Sequence, residues 1–471
     1  MKNKLPLIHA FGVFDNLYVF DANANSILSL DEEQWRVARE IEKGKVTEEG
    51  QALIDSFRER NYFKSPEIRK IEHPDTDTMQ YHLNRKMQRL TLQVTQECNL
   101  RCDYCVYSED GSYNTRTHAR RSMDFETAKK AVDYVLKCSV DQNDVIFGFY
   151  GGEPLLELEL VEKIIKYIKE KCGTKSVTLS MTTNGTLLTL DVYERLVQND
   201  VTILISLDGP KAIHDSARKY PDGRGSFDDI VKNISAIQAK HPEAKDKLSF
   251  LAVTTPEIDD SCLDDLYKMD EIFPYYGVSL TYLSDTYIER EIKFSEEFTA
   301  MSMQERVKLF LHMLGRLDKN KVSGIILDDA ERIRMKYREL RRITELPTIF
   351  HHGGPCLAGP QRLFLSVEGM YYPCERVSET SEVMKIGDVD SGVSVEKANI
   401  VNNVGKITED ECKKCWAILH CTMCAAHADD LVGFSKDKKL KKCATVKAQV
   451  EDMFKDVCFL KTHGYDFEDA H

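Results

Sequence analysis

Three cysteine thiols stand close together near residue 100 and could act on one metal group. Cys98, Cys102 and Cys105 have the spacing C-x3-C-x2-C and directly follow the apolar run 92–94. Such a trio is compatible with a disulfide staple, a zinc site or an iron–sulfur cluster. A structural zinc site is closed by four protein ligands, and an iron–sulfur cube is usually held by four thiolates. Three thiolates therefore leave one metal position open to a small molecule.

A second set of cysteines crowds the carboxyl-terminal part of the chain. Seven of the 14 cysteines belong to it: Cys356, Cys374, Cys412, Cys415, Cys421, Cys424 and Cys443. Clustered thiols favour metal binding, because ligands must converge and short loops lower the entropy cost of bringing them together. Zinc stays an alternative for this block, while a disulfide framework is not expected in a reducing compartment.

The composition argues against several classes of partner. The chain has 471 residues and a formal net charge of -13, so it matches nucleic acid or an anionic membrane poorly. No window reaches the roughly 18 apolar residues of a membrane span, and the amino terminus lacks a signal-peptide pattern. We expect a cytoplasmic protein of two or three domains.

An alternation of strands and helices follows the polar linker before residue 88. Six strand-like runs are separated by helix-length segments, and the runs span 89–94, 145–150, 176–181, 201–207, 248–254 and 278–283. This pattern predicts right-handed βαβ crossovers and a parallel sheet. Six units are fewer than the eight of a closed barrel. Residues 88–290 are therefore expected to form an α/β fold, an open partial (β/α)6 TIM barrel with its ligands at the carboxyl ends of the strands.

Polar and glycine-rich stretches follow these strands, at the edge where ligands are expected. They contain Gly151, Gly152, Glu153, Thr183, Asn184, Ser206 and Arg218. Glycines allow the backbone to approach a ligand closely, and a glutamate can accept a hydrogen bond from an ammonium group. Taken one at a time, the glycines also suit an ordinary turn before a helix, and Arg218 also suits a solvated surface.

Residues 1–72 predict a small α+β unit. The runs 16–21 and 26–30 predict a hairpin, a helix is expected to begin near Ser29 or Asp31, and a second helix is expected over 48–60. Strands of this kind can offer a sheet edge or groove to a peptide. An ordinary subdomain packed on the core is the alternative.

The first cysteine motif, with Tyr104 before its last cysteine, resembles the signature of radical S-adenosylmethionine (radical SAM) enzymes. The resemblance implies a [4Fe-4S] cluster on Cys98, Cys102 and Cys105, with S-adenosyl-L-methionine on the open iron and hydrogen abstraction by a 5′-deoxyadenosyl radical. The cofactor-binding set that it implies is Tyr104, Gly151, Gly152, Glu153, Thr183, Asn184, Ser206 and Arg218.

The same resemblance assigns a part of the cofactor to most of these residues. The GGEP stretch would hold the methionine amino group, Ser206 would contact the ribose or the carboxylate, and Arg218 would pair with the methionine carboxylate. Asp208 and His214 lie in the same stretch as Ser206 and Arg218. We expect these two residues to support the loop rather than to act in catalysis.

The carboxyl-terminal cysteines resemble the SPASM extension of radical SAM enzymes that modify peptides. One spacing departs from that pattern, because two residues rather than three separate Cys421 from Cys424. The resemblance implies a helical connector over 291–345 and a SPASM domain over 346–471 with two auxiliary [4Fe-4S] clusters. Cys356, Cys374 and Cys424 would hold the first with one iron open, and Cys412, Cys415, Cys421 and Cys443 would close the second. Cys458 is expected to be a buried structural thiol.

Together these resemblances imply three [4Fe-4S] clusters and a peptide maturase of the sactipeptide or ranthipeptide type. We expect thioether crosslinks in a ribosomally made, Cys-rich precursor peptide, because an open auxiliary iron could bind a substrate thiolate. Residues 1–72 would be a winged-helix-like module that captures the leader of the precursor, and a flavodoxin or ferredoxin would supply electrons. The alternatives are carbon–carbon crosslinking, formylglycine-type oxidation, and an iron–sulfur or zinc protein without radical chemistry.

Overall fold

The amino-terminal unit is a three-stranded antiparallel sheet covered by two helices. The computed structural model describes residues 5–105, 107, 118–256, 277–288, 292–354 and 356–468. The elements of the unit are β1 (Ile8–Val13), β2 (Asn16–Asp21), β3 (Ser26–Leu30), α1 (Glu32–Glu42) and α2 (Glu48–Glu59). The predicted hairpin is confirmed as β2 and β3, and β1 is an additional strand. Asp31, not Ser29, caps α1, because its carboxylate accepts from the Gln34 amide at 2.8 Å.

The polar stretch before residue 88 contains a short helix where the sequence predicted only a linker. The elements of this stretch are β4 (Lys70–Ile71) and α3 (Met79–Arg85). Met79 and Leu83 are buried in the main core. These two apolar residues are four positions apart, so they lie on the same face of the helix and hold it to the core. A pair of apolar residues is too short a pattern to predict a helix in a polar stretch.

The centre of the molecule is a parallel sheet of six strands with intervening helices. Its elements in chain order are β5 (Arg89–Thr95), α4 (Phe125–Lys137), β6 (Asp144–Gly151), α5 (Leu158–Lys171), β7 (Ser176–Thr183), α6 (Leu190–Gln198), β8 (Val201–Ser206), α7 (Lys211–Ala217), α8 (Phe227–Lys240), β9 (Leu248–Thr254) and β10 (Gly277–Tyr282). Each strand pairs in parallel with the next one along the chain. The six predicted strands and the α/β class are thus confirmed, and all six carboxyl ends lie at one edge.

The remaining elements include four strands that extend this sheet and one that pairs with β4 instead. They are α9 (Glu296–Met313), α10 (Gly324–Glu339), β11 (Ile349–Phe350), β12 (Leu363–Leu365), β13 (Met370–Tyr372), β14 (Gly387–Asp388), β15 (Gly392–Val393), α11 (Val395–Asn402), α12 (Glu409–Cys412) and α13 (Lys436–Thr462). Strand β12 pairs in parallel with β5, and β13, β14 and β15 follow in antiparallel order. The carboxyl-terminal segment therefore shares the main sheet and core instead of folding beside them.

The amino-terminal unit packs on α13 through an aromatic cluster. Phe11 and Phe20 contact Trp416 and Phe454, and Cys458 is buried in the same cluster. Cys458 is buried as predicted, and its structural role stays a prediction. This contact holds the unit against the segment that carries the carboxyl-terminal cysteines.

Within the described part of the chain, every helix is too short or too polar to span a bilayer. Each of the thirteen cysteines described there carries a free thiol.

Candidate active site at the carboxyl edge of the sheet

The carboxyl ends of the parallel strands surround a cavity of about 390 Å³. Ten of the eleven residues predicted for the cluster and its cofactor line this cavity: Cys98, Cys102, Tyr104, Cys105, Gly151, Gly152, Thr183, Asn184, Ser206 and Arg218. They come from the last residues of β6, β7 and β8 and from the loops after β5 to β8, which are far apart in the sequence. Parallel pairing brings these loops together, because it sends every carboxyl end to the same edge.

The three thiols of the β5 loop are surrounded by hydrogen-bond donors. The Leu100 amide lies 3.4 Å from Cys98 Sγ, and the Asn184 side-chain amide lies 3.8 Å from the same sulfur. The Arg218 guanidinium lies 4.0 Å from Cys102 Sγ. Donors and a positive charge directed at sulfur suit thiolates that bind a metal group.

Burial opposes ionisation of these thiols before a metal binds. Burial, and after it the Glu153 carboxylate, raises the pKa of Cys98 to about 12. Burial also raises the pKa of Cys102, which the charge of Arg218 partly offsets. Metal binding at this site must therefore release protons, so loading is expected to improve as the pH rises.

Gly151 and Gly152 let the β6 loop pack backbone to backbone against the cysteine loop. Gly152 N donates to Thr95 O at 2.8 Å, and Glu153 N donates to Glu97 O at 2.9 Å. A Cβ atom on Gly151 would clash with Thr95 O, and one on Gly152 would clash with Glu97 O. Gly151 also has a φ of 141°, which L side chains rarely adopt. The glycines thus fix the approach of the two loops as well as the cavity wall.

Glu153 lies behind the cavity wall and does not line it. Its carboxylate is fully buried and accepts from Thr183 Oγ1 at 2.7 Å, from Asn184 N at 2.7 Å and from Leu155 N at 3.0 Å. The hydrogen bonds of the Glu153 carboxylate are thus made to protein groups on the β6 loop and at the end of β7. In this structure the side chain ties the β6 loop to the end of β7, and its direct contact with a methionine amino group stays a prediction.

Arg218 is held by a carboxylate that the sequence reading did not assign to catalysis. Arg218 Nε donates to Asp208 Oδ2 at 2.8 Å, and both side chains are buried. The Tyr104 hydroxyl donates to the same oxygen, and Val253 N donates to Asp208 Oδ1 at 3.0 Å. Asp208 therefore sets the position of Arg218 and Tyr104 at the cavity, in line with the supporting role expected for it.

His214 supports this arrangement from below. Its Nδ1 accepts from Asp208 N at 3.3 Å, and its Nε2 lies 2.8 Å from Ser226 Oγ, which in turn donates to Arg218 O at 3.1 Å. Burial, followed by the charge of Arg218, lowers the pKa of His214 to about 3. The imidazole is therefore neutral at physiological pH and acts as a structural link.

One side of the cavity is built by a segment that sequence reasoning did not connect with it. Glu375, Arg376 and Val377 line the cavity, and they directly follow Cys374. Tyr287 also lines it, with its hydroxyl 2.8 Å from Asp429 Oδ2. No spacing signal predicts these contacts. The contacts of Glu375, Arg376 and Val377 arise because β12 and β13 extend the main sheet beside β5.

The seven carboxyl-terminal thiols fall into two groups in space. In the first, Cys424 raises the pKa of Cys374, and Cys356 raises that of Cys424, in each case after a larger contribution from burial. We call Cys356, Cys374 and Cys424 the three-thiol group. After a larger contribution from burial, Cys412 also raises the pKa of Cys415, Cys421 and Cys443, and we call these four residues the four-thiol group. The assignment of these two groups as ligands of auxiliary clusters stays a prediction.

The donor sets fit iron–sulfur clusters in kind and number. Three thiols face a cavity with room for a small molecule, and the residues that follow Cys374 line the same cavity. Four further thiols belong to the four-thiol group. Among the described residues, no three His, Cys, Asp or Glu side chains converge tightly enough to hold a single metal ion. The thiolates of a cube bind different irons, so they need not converge on one point.

Comparison with known proteins agrees with this geometry. Residues 92–270 match the family model of the radical SAM superfamily. The chain contains a radical SAM domain. The family implies a [4Fe-4S] cluster and S-adenosylmethionine, for which the cysteine loop and the cavity supply the matching donors.

Two curated relatives share part of this chain. The radical SAM cyclopropyl synthase TigE of Paramaledivibacter caminithermalis is 26% identical over 207 residues, which are 42% of this chain and 40% of TigE. The serine-type anaerobic sulfatase-maturating enzyme of Bacteroides thetaiotaomicron is 31% identical over 145 residues, 31% of this chain and 34% of the relative. The chain thus spans less than half the length of these relatives.

A solved structure shares the fold over most of the chain. Native anSMEcpe with bound AdoMet and the Cp18Cys peptide has a TM-score of 0.57 at 21% identity, and the match covers 79% of this chain and 97% of the other. The likeness confirms the radical SAM fold for the α/β core.

Proposed function

We propose that this chain is a radical SAM enzyme that modifies a peptide or protein and that it forms thioether bonds between a cysteine sulfur and a carbon atom. The substrate would be a ribosomally made, Cys-rich precursor peptide with a leader segment. An external one-electron reductant of the flavodoxin or ferredoxin class would supply the electron for the reaction.

The observation that carries the proposal is the position of the segment after Cys374, because Glu375, Arg376 and Val377 line the cavity. The three thiols of the radical SAM motif line the same cavity. A cube held by three thiolates has one iron free for a further soft ligand. A substrate cysteine bound there would stand near the place where a hydrogen atom is removed, which supports sulfur-to-carbon bond formation.

The residues of the cavity have separate tasks in this proposal. When bound, the cluster on Cys98, Cys102 and Cys105 supplies an electron to S-adenosylmethionine, which provides the radical that removes hydrogen from the substrate. Arg218, oriented by Asp208, offers its remaining guanidinium donors to the methionine carboxylate. Gly151 and Gly152 would present backbone to the methionine amino group of the cofactor.

The edge of the amino-terminal sheet supports capture of a leader by strand addition. Strand β1 is covered by α1: Ala10 N donates to Glu42 Oε2 at 3.2 Å, and the Trp35 indole donates to Phe11 O at 3.1 Å. Strand β3 pairs with β2 on one side, and among the described residues no strand pairs with its other side. An unpaired strand edge is a template for an extended peptide.

The decisive experiment follows the substrate by mass spectrometry. Anaerobically reconstituted protein is incubated with S-adenosylmethionine, dithionite and a leader-containing Cys-rich peptide encoded next to the enzyme. We expect a product that has lost two hydrogens, has kept its sulfur and resists thiol alkylation. Formation of 5′-deoxyadenosine without such a product would refute thioether formation, and absence of 5′-deoxyadenosine would refute the radical enzyme.

Formylglycine-type oxidation is the second candidate, because the sulfatase-maturating relative is a serine-type enzyme. On a cysteine that reaction removes the sulfur and leaves an aldehyde, so the mass separates it from a thioether. On a serine it removes two hydrogens, as thioether formation does, but it leaves every thiol open to alkylation. A hydrazine probe that labels aldehydes but not thioethers provides an independent readout.

A further inference from the structure

A buried lysine faces the four-thiol group without a carboxylate partner. Lys439 is 1% exposed. Its Nζ donates to Thr408 Oγ1 at 2.6 Å and lies 3.7 Å from Cys412 Sγ. Thr408 Oγ1 also contacts Cys412 Sγ at 3.2 Å. The ammonium group is therefore directed at a thiol and at the hydroxyl that touches the same thiol.

The charge of this lysine has no counter-ion among the described side chains. None of the ion pairs in the described residues includes Lys439, although its helix neighbours Lys436, Lys442 and Lys455 are all paired with carboxylates. An isolated buried ammonium is strongly unfavourable. The protein tolerates such a group when an anion occupies the space in front of it.

The helix spacing directs this charge at the thiols. Lys439, Cys443 and Lys447 follow one another at intervals of four residues on α13, so they share one face of the helix. Cys443 belongs to the four-thiol group. Lys439 lies one turn before it and is buried, whereas Lys447, one turn after it, is partly exposed.

We propose that Lys439 is a positioning residue whose positive charge balances a four-thiolate cluster and raises its reduction potential. The inference rests on the proposed function only in requiring an iron–sulfur cluster on the four-thiol group. Reduction adds negative charge to a cluster. A buried positive charge beside it stabilises the reduced form more than the oxidised form.

The test compares Lys439→Met with wild type in the full chain, first in the iron-free protein and then in the reconstituted protein. In the protein without iron the variant removes an unpaired buried charge, so we expect a higher Tm than wild type. In the reconstituted protein we expect a tenfold lower ratio of reduced to oxidised cluster at fixed potential, about 59 mV for a one-electron couple. The cluster is identified as the paramagnetic signal that disappears in Cys412→Ala.

Two variants serve as controls. Lys441→Met removes an exposed lysine from the same helix and is expected to change neither the Tm nor the potential. Lys439→Arg keeps the charge and is expected to keep the potential close to that of wild type.

An unchanged potential in Lys439→Met, or a lower Tm of its iron-free form, overturns the inference even when the cluster is present. Iron and sulfide contents that are equal in wild type and Cys412→Ala would instead show that the four-thiol group holds no cluster. In that case this part of the proposed function fails, and the inference fails with it.

Discussion

The cysteine loop after β5 and the four-thiol group differ in what surrounds their sulfur atoms. The loop has three thiols on a cavity of about 390 Å³, whereas none of the four-thiol group lines that cavity. The buried cation beside the loop, Arg218, already has a carboxylate partner in Asp208. The buried cation beside the four-thiol group, Lys439, has none among the described residues.

This difference suits a loop whose cofactor binds and leaves again, and a four-thiol group whose anionic ligand stays bound. Because Asp208 fixes and neutralises Arg218, the loop needs no bound anion, and a cofactor with its own carboxylate can enter and leave. The unpaired charge of Lys439 favours a site that keeps its anion. In each region the number of thiols, the access to the cavity and the charge balance support the same interpretation: reversible binding at the cysteine loop and a retained anion at the four-thiol group.

The largest expected effect separates the two groups directly. Cys98→Ala removes a ligand at the cavity and should abolish formation of 5′-deoxyadenosine. Cys412→Ala, outside the cavity, should retain S-adenosylmethionine cleavage while it loses iron and crosslinked product. Chromatography of 5′-deoxyadenosine measures both, with Cys172→Ala, a thiol outside all three groups, as the control. Equal cleavage by Cys98→Ala and wild type would contradict the assignment of the loop.

The second effect tests how closely the β6 loop holds the cysteine loop. Gly152→Ala places a methyl group against Glu97 O, so the loop that carries Cys98 must shift. A shift of this kind can lower the rate by about 10²-fold. The 5′-deoxyadenosine rate should fall accordingly, while Gly433→Ala, which has open space around it, should match wild type. A normal rate in Gly152→Ala would show that the close contact is dispensable.

The third effect tests the buried ion pair between Arg218 and Asp208. Asp208→Asn leaves a buried guanidinium unpaired and should lower the free energy of unfolding by about 3–5 kcal/mol. Asp228→Asn removes an exposed partner of Lys211 and should change the free energy of unfolding much less, because solvent screens the pair. Urea unfolding of the iron-free proteins measures both. Equal losses in the two variants would mean that Arg218 does not depend on its buried partner.

The smallest effect is the pH dependence contributed by His214. Its folded pKa of about 3 lies below the ordinary value of roughly 6.5, so below pH 6.5 the unfolded chain binds a proton that the native protein excludes. Stability from this group is complete above pH 6.5 and declines as the pH falls toward 3.

The variant His214→Gln should therefore lose less stability than wild type between pH 6 and 5, by about 1 kcal/mol. Urea unfolding at the two pH values provides the measurement. His241 supplies the opposite case, because the hydrogen bonds that it donates to the carboxylates of Glu194 and Glu243 raise its pKa. Replacing His241 should remove stability at low pH. An identical pH slope in His214→Gln and wild type would contradict the neutral buried imidazole.

Much of the site was predictable because its elements are local. The β strands alternate with helices of standard length, and each motif directly follows its strand, so β5 to β10 and the residues on their carboxyl edge could be read in order. The contacts of Glu375 and Arg376 with the cavity could not. They depend on β12 pairing with β5, and three-residue strands carry too little pattern to reveal their partner.

The sequence by itself determined which atoms are available: three thiols after a strand, glycines at the next loop, and seven thiols near the carboxyl end. Those properties follow from residue type and from spacings of a few residues, which local geometry cannot rearrange. The tertiary structure alone decided that Asp208 neutralises Arg218, that Glu153 lies behind the cavity wall, and that Lys439 faces thiols without a counter-ion. Charge balance in a buried site depends on groups distant in sequence, because electrostatic interactions act through space rather than along the chain.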